Sequence, residues 1–152
     1  MISRPTTEQL LLDCAKELMQ GVLPAVSDPP AIIRIYMIEQ VLRSAAIRSA
    51  NEIAWMREEI PAIEAYGRAV HDAVANEDLT AMLARVEQAD EIDLTLNAVA
   101  ERYFRAGEVL ASALEVAVLS GLDDLRQQGE QIVVARMARE RDVMAGWSPT
   151  GR

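Results

Sequence analysis

Aromatic side chains are scarce in this sequence, at 4% of 152 residues, and glycine and proline number only seven and six. Strands draw on aromatic and β-branched residues, so the first shortage disfavours a sheet. The second leaves little material for turns, so the elements should be long. What recurs instead is alanine, leucine, glutamate, arginine and glutamine, all good helix formers. An all-α protein is the expectation. One cysteine, Cys14, excludes an internal disulfide and agrees with a reducing, cytoplasmic setting. Cys14 and the lone histidine, His71, are too few for a four-ligand zinc site. A di-iron carboxylate bundle needs two Glu-x-x-His pairs, and the residue three before His71 is Arg68. Glycine-rich phosphate loops, nucleophile elbows and dinucleotide fingerprints are also missing. No catalytic, cofactor-binding or metal-ligating set is expected, and no cofactor.

Charge is lopsided as well. A formal net charge of -9 and a pI near 4.6 give a field that repels phosphate backbones and anionic lipid, so neither nucleic acid nor membrane is an expected partner. The opening "MISRPTTEQLLLDCAKEL" lacks a basic segment followed by an apolar run, so no secretory signal is expected. The most apolar later stretch, "AGEVLASALEVAVLSGL", still holds Glu108 and Glu115 and is too short and polar for a membrane span. By length, 1–152 forms a single helical domain.

Local signals mark the helices. Thr6 and Gln9 have capping-box spacing after Arg4-Pro5, and a first helix with Leu10, Leu11, Cys14, Leu18 and Val22 inward should end near Gly21 and Pro24. Cys14 is expected to be a small buried hydrophobe. Asp28-Pro29 starts a long second helix, which Pro61 should kink or break. A resumed segment then carries Ile63, Tyr66, Val70 and Val74, and Asn76 begins a short helix through Leu79, Met82, Leu83 and Val86. An acidic connector at Asp90, Glu91 and Asp93 leads to a helix from Leu96, with Val99, Tyr103, Leu110, Leu114, Ala117 and Val118 inward and Gly121 as its stop. Asp123 or Asp124 caps a last helix in which Gly129 is a weak point, and 146–152 follows as a loose tail unless Trp147 docks. The architecture implied is an antiparallel helical bundle of about five or six helices, with a long, Pro-kinked central helix.

That long helix is apolar on more than one side. Ile35, Ile38, Leu42, Ala45, Ser49, Ile53, Met56 and Ile60 form a core stripe, while Ile33, Met37, Val41 and Trp55 project elsewhere. Either other helices of the chain cover this second stripe, or another protein does; the shortage of other long elements favours association. Arg34, Arg48 and Arg57, interleaved with Glu39, Glu52, Glu58 and Glu59, are expected as solvated pairs. In an alternative arrangement, an inter-helix cavity uses Arg34, Tyr36 or His71 to hold a small ligand or run a reaction.

The stretch "RPTTEQLLLDCAKELMQGVLPAV", followed by a helix bearing "IIRIYMIEQVLRSAAIRSANE", resembles a bacterial family catalogued as a domain of unknown function. The matching points are Arg4, Pro5, Thr6, Leu10, Leu11, Val22, Leu23, Pro24 and Ala25, within the first third of the chain. Members are often encoded beside aminoglycoside-phosphotransferase-like kinases and acyl-CoA dehydrogenases, so the resemblance implies an accessory role near such enzymes and no catalytic residue. The expected function is a non-enzymatic accessory protein, a homodimer or the binder of a partner protein, acting through the second apolar stripe.

Overall fold

The computed structural model describes residues 4–88 and 93–144. The described residues fold as an all-α helical bundle of five helices: α1 (Thr7–Glu17), α2 (Pro29–Val74), α3 (Glu77–Glu87), α4 (Leu96–Leu119) and α5 (Asp123–Met144). Among the described residues there is no strand. Asp90 and Glu91 of the expected acidic connector lie outside the described residues, as do Trp147 and the expected tail.

Chain chemistry sets the boundaries. Gln9 N–H donates to Thr6 Oγ1 at 3.2 Å and Thr6 N–H to Gln9 Oε1 at 2.9 Å, a complete capping box. After Glu17 the coil widens into a π-turn over Leu18–Val22 and then tightens into a 3₁₀ turn over Leu23–Ala25, which brings Pro24 in where a helix ends. Asp28 accepts from Ala31 N–H at 3.1 Å, while Pro29 fills the first helical position. Asn76 accepts from Leu79 N–H at 3.0 Å and Thr95 from Ala98 N–H at 3.4 Å. At the end of α4, Gly121 takes φ +68°, and the N–H groups of Gly121 and Leu122 donate to the carbonyls of Val118 and Ala117. That pair of bonds is the Schellman arrangement, and glycine enters it without a Cβ penalty.

Two expectations about α2 and α5 change. Pro61 does not break the long helix, which runs uninterrupted through it for 46 residues. Asp123 and Asp124 lie inside the first turn of α5 rather than capping it; there they oppose the positive end of the helix dipole.

The described residues group into two compact units, one within Ile53–Met137 and the other within Met1–Glu52 and Ala138–Arg152. In the Ile53–Met137 unit, the later part of α2 meets α3, α4 and α5 around one core: Ile60, Ile63, Tyr66, Val70, Leu79, Leu83, Val86, Ala106, Val109, Leu110, Ala113 and Ala117. Gly67 lies within van der Waals reach of Val109 and Leu83, so α2 is packed closely there. Val118, expected inward, is 54% exposed; one residue beyond the buried Ala117, it sits 100° round the helix. In the other unit the buried apolar side chains are Ala15, Ile35, Ala46 and Val143. Cys14 is exposed, not buried, because Ala15 takes the inward position and turns its neighbour away.

Buried ions

Three glutamates on α2 are buried: Glu39, Glu59 and Glu64. This overturns the reading of Glu39 and Glu59 as members of solvated pairs. Glu59 Oε1 accepts from Arg136 Nε of α5 at 2.8 Å and forms an ion pair with its Nη2 at 2.6 Å, while Tyr103 of α4 donates its hydroxyl to Oε2 at 3.3 Å. The Arg136 guanidinium lies over the Tyr103 ring, 4.8 Å from its centre, which adds a cation–π contact. Glu64 accepts from Arg102 of α4 at 3.0 Å and from Arg68 at 3.3 Å, and Arg68 reaches Glu87 of α3 at 2.5 Å. An ion held away from water must be paired. Glu59 and Glu64 therefore tie α2 to particular turns of other helices. Glu39 meets its i+4 partner Arg43.

Tyr66 is the counter-example. Its hydroxyl is buried with no hydrogen-bond partner, and it presses against α5 at Gly129. Burial, with Glu130 nearby as a second cause, raises the pKa of this phenol above its ordinary value. Tyr66→Phe should therefore stabilise the protein by about 1 kcal/mol, since the unmet hydroxyl is removed while the ring stays. In the parent chain the native state keeps a proton that the unfolded chain loses near pH 10, so stability is full below about pH 10 and falls as pH rises above it. Urea unfolding on either side of that pH should show the alkaline decline in the parent and a smaller one in Tyr66→Phe. An equal decline would show that other groups cause it.

Candidate interaction surface

The first turns of α2 present an arc of exposed apolar side chains, with Arg34 projecting between Val41 and Ile38. Ile33, Met37 and Val41 are 51%, 55% and 55% exposed, and Ile38 beside them is 51% exposed. Helical geometry accounts for this: each four-residue step advances 40°, so these side chains sweep one arc, and Ile35, Glu39 and Ala46 occupy the opposite, buried arc. Ile38, expected in the core stripe, belongs to the exposed arc. Sequence reasoning missed the burial of Glu39; the sole hint was the i,i+4 spacing of Glu39 and Arg43.

Trp55, the fourth residue of the expected stripe, is half-buried and belongs to the Ile53–Met137 unit. Exposed apolar side chains also occur elsewhere among the described residues, among them Leu10, Leu119 and Met144. Phe104, 72% exposed, has Glu101 and Glu108 as helical neighbours, and Val134 with Met137 is a pair bounded by Glu130, Gln131 and Arg141.

The residues of the alternative site do not converge. Arg34 is exposed and Tyr36 half-buried in the unit containing the N-terminal half of α2. His71, in the other unit, bonds through Nδ1 to the Asn76 carbonyl at 2.9 Å and to Thr80 Oγ1 at 3.2 Å. A carbonyl only accepts, so the proton sits on Nδ1 and the ring ties down the α2–α3 turn. A concavity between α2 and α5 in that unit is lined by Ala62, Ala65, Tyr66, Gln128, Gln131, Ile132 and Ala135, and a smaller one of about 20 Å³ by Arg57, Arg102 and neighbours; neither includes His71. No group of three or more metal-ligating side chains is gathered among the described residues.

No family model, curated protein or solved structure matches the chain. No helix among the described residues is long and apolar enough to cross a membrane.

Proposed function

We propose that this protein is a non-enzymatic interaction protein of the cytoplasm that associates, first of all with a second copy of itself, through the Ile33–Met37–Val41 face of α2. The observation that carries this reading is the exposure of four neighbouring large apolar side chains over fewer than three helical turns. Isolated exposed residues are ordinary, but a contiguous group costs solubility and commonly marks a contact surface. Burying it against an identical face is the simplest two-fold solution. The single cysteine supports a reducing compartment.

Met37→Glu tests the reading. Met37 is more than half exposed, so the variant should unfold within about 0.5 kcal/mol of the parent. Its self-association, read by sedimentation, should be at least tenfold weaker, about 1.4 kcal/mol. Unchanged association would place the contact elsewhere.

A further inference from the structure

We propose that the outer side of α4 is a docking seam for a basic amphipathic helix of a partner protein, whose lysines or arginines stand against Glu101, Glu108 and Glu115. The seam lies within the Ile53–Met137 unit, and none of its residues is on α2, so it is independent of the self-association reading above.

Three rows run along α4 at seven-residue spacing: Ala100, Gly107 and Leu114; Phe104, Ala111 and Val118; and Glu101, Glu108 and Glu115. A seven-residue step turns only about 20° from a whole number of turns, so the rows stay side by side over about 27 Å of helix. The first two interleave at steps of three and four, which is the spacing of a coiled-coil seam. The glutamates occupy the flanking position, where charges select a partner. Phe104, Ala111, Val118, Glu108 and Glu115 are all exposed, so the seam faces outward. Leu114 is half-buried and anchors it to α5 beside Gly129.

Gly107 indicates that another helix comes close. Glycine is the poorest residue in a helix interior after proline, and the described fold has no use for this one. A Cβ at Gly107 would meet no described atom within 4 Å, whereas one at Gly67 or Gly129 would strike Val109 or Tyr66. In the middle of an outward seam, the missing side chain lets a second backbone approach beside the Phe104 ring. Charge then identifies the occupant. Glu39, Glu64 and Glu101 each meet an arginine four residues on. Glu108 has Phe104 and Ser112 at that distance, Glu115 has Ala111 and Leu119, and no Lys, Arg or His occurs from Ala106 to Leu125. Basic side chains on a facing helix complete both carboxylates, and the net charge of -9 draws such a helix in. A second α4 cannot take this place: antiparallel, it sets glutamate against glutamate, and parallel, it offers Tyr103, Leu110 and Ala117 at the matching flank.

The test uses the full chain and two labelled synthetic helices of about 21 residues, three heptads with alanine and leucine at the seam. One carries lysine at the flanking positions and the other glutamate. Read by fluorescence anisotropy, the lysine helix should bind about tenfold more tightly than the glutamate helix, with an affinity that falls as salt rises. Glu108→Lys combined with Glu115→Lys should reverse the preference. Gly107→Gln should raise the urea midpoint, because glutamine is the better helix former and has open space, yet weaken lysine-helix binding about tenfold by placing a long polar side chain in the seam. Unfolding cannot explain a variant that is both more stable and deficient in binding. Met37→Glu, on α2, should leave the affinity unchanged. Equal binding of the two peptides, no binding of the lysine helix at millimolar concentration, or binding that survives Gly107→Gln would overturn the seam. Binding lost in Met37→Glu but kept in the α4 variants would place the peptide on α2 and overturn it too.

Discussion

Glu59→Ala is expected to destabilise the protein by about 3 kcal/mol, the low end of what removing one partner from a buried ion pair costs. The low end applies because Arg136 keeps 32% of its side chain exposed and can recover part of its hydration, whereas Glu59 keeps 8%. The loss has two sources. Arg136 is left without its carboxylate, and the Tyr103 hydroxyl loses the oxygen to which it donates. Replacing both ions, as Glu59→Met with Arg136→Met, should return most of that stability, because two apolar side chains of similar length need no partner. Urea midpoints of the two single variants and the double variant form the cycle that measures this. If Glu59→Ala costs less than about 0.5 kcal/mol, the pair behaves as an ordinary surface contact and does not hold α2 to α5.

Gly129→Ala comes next, with an expected loss of about 2 kcal/mol. On an exposed helix the same change would gain about 1 kcal/mol from propensity alone, so the sign is the informative part. A Cβ at Gly129 would lie 2.5 Å from the Tyr66 hydroxyl oxygen, 2.7 Å from the ring carbon bearing it and 2.8 Å from Leu114 Cδ1. Neither the buried ring nor the leucine is a loose chain end, so relief has to come from separating α2 and α5 or from strained rotamers. Combining the change with Tyr66→Phe removes the nearest of the three contacts and should recover part of the loss. A Gly129→Ala variant more stable than the parent would mean that the helices can part at little cost.

The same glycine shows what the sequence could and could not reveal. As a residue type it marks a weak point in a helix, and that reading needs no structure. That the weakness makes room for Tyr66 depends on which turn of α2 faces it, and no local pattern carries that information. The boundaries were legible for the opposite reason: Thr6 with Gln9, Asp28 with Pro29, Asn76 and Gly121 act through atoms a few residues away. The all-α class was legible from composition for a similar reason, since propensity is summed along the chain.

Rotation of each helix about its axis was harder to read. Leu10, Leu11, Cys14, Ala15 and Leu18 offer two neighbouring apolar arcs, and the structure buries Ala15 while leaving Cys14 and Leu10 exposed. Ile38 and Val118 were placed inward for the same reason: an apolar residue one step from a buried one passes for part of the stripe. Buried glutamates escaped notice because a carboxylate signals a solvated face unless its partner is known. For Glu59 the partners stand 44 and 77 residues away. The second apolar stripe was visible in the sequence as a stripe, but whether Ile33, Met37 and Val41 are covered by the described residues required their exposure.

The most direct measurement of the central claim is the solution mass of the unmodified chain, by light scattering coupled to size exclusion, from micromolar to millimolar concentration. The account predicts a mass that climbs from that of the 16.7 kDa chain toward twice that value as concentration rises. A mass that stays at that of one chain throughout would contradict self-association through the α2 face.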